Sequence, residues 1–81
     1  MNHDWIWEIY VMLKKFVQPC LDAFEFQIEC DHQSTVLVTL ELIYQYALQP
    51  LAQVSRDAPD SATRSTEVAA YVTSMFSVAY N

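Results

Sequence analysis

The chain has 81 residues, 53% of them apolar, with 10 acids against 4 bases and a net charge of −6. This length allows one small domain, and the apolar content excludes a disordered acidic tail. The acidic balance repels phosphate backbones and argues against nucleic acid as a partner.

The first segment runs from Asp4 to Gln18, with Asp4 placed to cap a helix. Ile6, Ile9, Leu13, Phe16 and Cys20 step by three and four, which is one face of that helix. Lys14 and Lys15 sit where a helix C-terminus favours cations. Pro19 then ends the helix, kinks it or opens a short new one. Trp5 and Trp7 are two residues apart and cannot share a face, so one of them is expected outside the core, where a partner would meet it.

The stretch "CLDAFEFQIEC" supports two readings. Phe24, Phe26, Ile28 and Cys30 alternate with polar residues as a strand would, whereas Leu21, Phe24 and Ile28 fit a short helix. A hairpin over 23–42 is the minor alternative, because its turn, Asp31-His32-Gln33-Ser34, lacks glycine and asparagine.

From Ser34 to about Val54, Leu37, Leu40, Tyr44, Ala47, Leu51 and Val54 keep a helical stripe. Ser34 is expected to cap this helix, and Pro50 to kink it or split off its last turn. Tyr46 falls off the stripe and is a candidate contact residue, as is Glu41. "SRDAPDSATRST" has the composition of a loop. The last segment opens at Ser65 or Thr66 and carries Val68, Tyr71, Met75 and Val78 at helical spacing. The chain has no glycine, which favours helices and rules out glycine-rich phosphate loops. The expected fold is a single all-α domain over residues 1–81. Three or four helices form a bundle, with a long loop or short extra segment between the first two.

Catalytic chemistry has little support. Asp31, His32 and Ser34 lie within one turn, whereas triad members converge from separate elements. Cys20 and Cys30 have no ligand spacing around them, so no metal is expected. The N-terminus lacks the basic start of a signal peptide, and no apolar run is long enough to span a bilayer. These features point to a cytoplasmic protein with reduced thiols.

The layout resembles an acyl carrier protein. Phe26, Cys30 and Ser34 hold the spacing at which that family approaches its modified serine. Val38, Leu40, Tyr44 and Leu48 fall where its second helix is apolar, and "APD" at 58–60 and "EVAAYV" at 67–72 are similar to its later text. The resemblance implies a phosphopantetheine arm on Ser34 that presents an acyl group to partner enzymes. Gln33 and Thr35 stand where the family has Asp and Leu, and Glu41 is the lone acid of the helix. A different function class also fits the residues. No base occurs from residue 16 to residue 55, so an acidic inhibitor or immunity protein could cover a basic partner surface. Its anchors would be Trp5, Trp7, Glu41 and Tyr46. A third reading pairs the stripes of the last two segments with another copy as a structural homodimer.

Overall fold

The computed structural model describes residues 3–80. Helix α1 (Asp4–Met12) passes through a π-helical turn (Leu13–Val17) into α2 (Gln18–Glu25). Helix α3 (Gln33–Asp57) and helix α4 (Pro59–Tyr80) complete the chain. All regular structure among the described residues is helical, so the hairpin over 23–42 is not formed.

The first rod stays helical through Pro19, which follows the π turn directly. With helical backbone on both sides, the proline removes one ladder hydrogen bond and crowds the preceding turn, and the rod passes it without ending. The π turn shifts the register. Its wider i→i+5 ladder brings Val17, rather than Phe16, below Leu13. Val17 is buried, while Phe16, expected on the core face, is 58% exposed. At the N-terminus His3 occupies the cap position, and Asp4 is the first helical residue. The Asp4 carboxylate still suits the positive end of the dipole.

Residues 55–66, expected as a loop, are helical except for Ala58. A proline disfavours helical backbone in the residue before it and is preorganised for the first position of the next helix. Ala58 accordingly has φ −133° and ψ 83°, which ends α3, and Pro59 starts α4 at once. The Ser61 N–H donates to the Ala58 carbonyl at 2.9 Å. Ser65 is therefore an interior residue and not a cap. It is buried between the helices, and its hydroxyl donates to the Leu51 carbonyl. Pro50 lies within α3 without ending it.

The three rods run up, down and up. Tyr80 on α4 donates to the Leu37 carbonyl near the start of α3, which makes these two helices antiparallel. Tyr71 donates to Gln18 Oε1, and the Tyr10 ring lies 6.1 Å from that of Tyr71, which sets the first rod beside α4. The core sits on the common axis. Ile6, Leu13, Val17 and Leu21 meet Leu40, Leu51 and Val54 of α3, and Val68, Val72 and Met75 of α4. Each such side chain contributes about 1.5–3 kcal/mol when fully buried. Of the predicted α3 stripe, Leu40, Leu51 and Val54 are buried, and Leu37, Tyr44 and Ala47 pack against them. Of the α4 stripe, Val68 and Met75 are buried and Tyr71 packs against the core, whereas Val78 near its end is 55% exposed.

Candidate functional site

The end of the bundle where α2 finishes, α3 begins and α4 finishes is built by one turn. The Gln27 N–H donates to Phe24 O at 3.0 Å and the Ile28 N–H to Ala23 O at 2.8 Å. This pair of bonds is a Schellman motif, which needs a left-handed residue at the position Gln27 occupies. Gln27 has φ 58°, although glycine is the usual residue there. Phe24 and Glu25 end α2, and the turn carries the rest of the alternating sequence, Phe26 to Glu29, around the helix end as irregular backbone. Phe26 and Ile28 are left 73% and 61% exposed.

Phe24, Ile28 and Val78, with Glu25, Gln27, Glu29 and Gln33, line a cleft of about 660 Å³. Around it the chain supplies acids and no bases: Asp22, Glu25, Glu29, Asp31 and Glu41 all lie in the base-free stretch. The cations are elsewhere. Lys14 lies 5.2 Å from the Tyr71 ring centre and 5.9 Å from that of Tyr10, and Arg64 lies 5.2 Å from the Trp7 ring centre. Cation–π contacts of this kind hold positive charge on the α1–α4 face.

A second recess, lined by residues that include Glu29, Cys30, His32, Ser34 and Thr35, adjoins the cleft. Ser34 is exposed in the first turn of α3. It is not the cap. His32 holds that position without a side-chain cap bond, and its carbonyl accepts the Val36 N–H at 2.9 Å. The helix cap lies two residues earlier than expected, and the Gln33 N–H finds the Cys30 carbonyl at 3.0 Å. Cys30 is half-buried and Cys20 is buried, and the two thiols are neighbours. Burial, with the Cys30 thiol next to it, pushes the Cys20 thiol up to about 11.

The other candidate residues are dispersed. Trp5 packs against the core, while Trp7 is half exposed beneath Arg64 and lies 5.5 Å from Tyr10. Tyr44 stacks on Phe76 at 3.9 Å, closing the seam between α3 and α4, and Tyr46 is 70% exposed. Glu41 accepts a hydrogen bond from Gln45 Nε2 at 3.1 Å and lies beside the Tyr80 hydroxyl. Burial, followed by this carboxylate, raises the Tyr80 pKa. Trp7 therefore belongs to a different face from Glu41 and Tyr46. The apolar members of the cleft were not among the residues expected to bind. Their signal was the alternation at 24–28, which the helix end presents to solvent instead of to a neighbouring strand.

Among the described residues, no group of three His, Cys, Asp or Glu side chains could hold a metal ion. No described helix is long and apolar enough to cross a membrane. Comparison with known proteins gives no match, whether with family models, curated proteins or solved structures.

Proposed function

We propose that the protein is a small helical binding module that covers a basic surface of a protein partner with its acidic, base-free end. The observation that carries this reading is the exposure of Phe24, Phe26 and Ile28 among Glu25, Glu29 and Asp31. Apolar anchors supply the affinity of such a contact, and the acids around them steer and orient the partner. Capture from the native host, followed by binding to the purified partner, tests it. Affinity should fall with added salt and drop by at least tenfold in Phe26→Ala/Ile28→Ala. Binding that ignores both changes sinks the proposal.

A second reading rests on Ser34, whose hydroxyl is exposed in the first turn of α3 beside the apolar cleft. Under this reading Ser34 carries a phosphopantetheine arm, and the chain presents the attached group to enzymes without performing chemistry itself. Intact mass after co-expression with a phosphopantetheinyl transferase decides it. The expected result is a gain of one arm on the wild type and none on Ser34→Ala. An unmodified wild type removes this reading and leaves the first untouched.

A further inference from the structure

The neighbouring thiols of Cys20 and Cys30 take no part in the function proposed above, yet they sit on either side of the turn that builds the cleft. Cys20 lies in the first turn of α2 and is 2% exposed. Cys30 lies beyond the Schellman turn, in the link to α3, and lines the open recess of about 500 Å³ that Ser34 shares. The Ile28 N–H bond to Ala23 O reverses the chain, and the Gln33 N–H bond to Cys30 O fastens the returning segment to the start of α3. Both thiols are free, one sealed in the protein and the other open to solvent, and each is the other's neighbour. Two cysteines used only as apolar filling would both be sealed.

We propose that Cys20 and Cys30 form a reversible disulfide, which staples the turn carrying Phe26 and Ile28 when the chain meets a low-molecular-weight disulfide such as oxidised glutathione. Cys30 reacts first, because it alone faces solvent. Its thiolate attacks one sulfur of the oxidant, breaks the S–S bond and expels one glutathione thiolate, leaving a mixed disulfide. Cys20 then gives its proton to water, attacks the Cys30 sulfur and expels the second glutathione thiolate. Two protein thiols are oxidised, and one glutathione disulfide is reduced to two thiols. Burial holds the Cys20 proton tightly, and Glu29 and Asp31 flank Cys30 against an anionic oxidant, so the exchange is slow. The fold sets the equilibrium instead. The bond closes the loop from residue 20 to residue 30, whose ends the fold already holds together. Closing a loop of that length costs an unfolded chain about a hundredfold, so the folded chain should hold the disulfide more strongly by that factor. The crosslink needs no partner and is independent of the function proposed above.

Equilibration of the full chain in glutathione buffers tests this, with and without concentrated urea. Acid quenching, alkylation and intact mass count the remaining thiols. The folded chain should be half-oxidised at a ratio of squared reduced to oxidised glutathione about a hundredfold higher than the unfolded chain. In the folded state Cys20→Ala should take up one glutathione, and Cys30→Ala should take up none until urea unfolds it. On oxidation of the wild type, the bonded amides of Gln27 and Ile28 should exchange hydrogen more slowly by about tenfold or more. Half-oxidation of folded and unfolded chains at the same ratio overturns the proposal. So does glutathione on folded Cys30→Ala, a bond between two chains in place of the internal one, or unchanged exchange at Gln27 and Ile28.

Discussion

Two residues hold backbone positions for which other side chains are better suited. Gln27 is left-handed at the end of α2. An L-residue other than glycine is strained there by about 1–2 kcal/mol, partly offset by the greater freedom of glycine in the unfolded chain. Gln27→Gly should therefore raise stability by about 0.5–1 kcal/mol, read as a higher urea midpoint at unchanged m. His32 caps α3 without a side-chain bond. His32→Asp would offer an acceptor to the free N–H groups and a negative charge to the dipole, for a gain of about 0.5–1 kcal/mol. A melt at or below that of wild type would show that the local backbone keeps the carboxylate from reaching them. Cys20 makes a prediction of opposite sign. Its thiol titrates at about 11 in the fold against 9.0 when free, so the folded state holds the proton more tightly. The stabilising contribution is complete below pH 9.0 and is lost as pH rises through about 11. Tyr71, raised first by burial and then by Tyr10 and Asp22, adds in the same direction. Urea midpoints should decline between these pH values, and less steeply in Cys20→Ala. A flat profile in wild type would refute the assignment.

At the scale of elements, what the sequence made legible depended on whether the signal was periodic or compositional. The stripes on α3 and α4 specify a helix whatever surrounds them, and Leu40, Leu51, Val68 and Met75 are buried as their spacing demands. The polar stretch 55–66 had no such stripe and read as a loop. Its helical nature comes from a partner: Ser55 and Thr66 lie 3.2 Å apart across the hairpin, and Ser65 bonds to the Leu51 carbonyl. Pro59 with Asp60 behind it was a helix-start signature masked by the surrounding composition. The acidic end was half legible. Its charge could be counted, but exposure of Phe26 and Ile28 depends on a turn that needs a left-handed glutamine, which no pattern announces. Ser65 also marks where the hairpin tolerates least. Ser65→Leu should destabilise by about 2 kcal/mol or more, because it overpacks the seam and leaves no hydroxyl for Leu51. Ser65→Ala, which keeps the size, should cost about 1 kcal/mol. Equal effects in chemical denaturation would mean that the seam is not close-packed there.

Across the whole molecule, stability should be uneven. Helices α3 and α4 form the most extensive helix pair, joined by the single residue Ala58, and they carry the Tyr44–Phe76 stack and the Phe76–Tyr80 contact. Such a hairpin is local in sequence, so its contacts form with little loop-closure cost. The first rod is attached through fewer neighbours and contains a π turn, whose hydrogen bonding is less favourable than that of an α-helix. It also leaves Phe16 mostly in solvent and Trp7, Val11 and Phe24 about half exposed. Opening free energies span the range from near zero to the global value, and elements with less buried apolar contact lie at the lower end. Native-state hydrogen exchange should therefore be slowest for amides of Leu51, Val68 and Val72, and faster by about tenfold or more across residues 4–25. Low denaturant should speed the first rod before it affects the hairpin. Equal protection in both would show that the bundle opens only as one unit. The π turn and the polar stretch 55–66 would then be as cooperative as the core. If the rod opens first, it uncovers the α4 face around Tyr71, which Gln18 and Tyr10 otherwise cover.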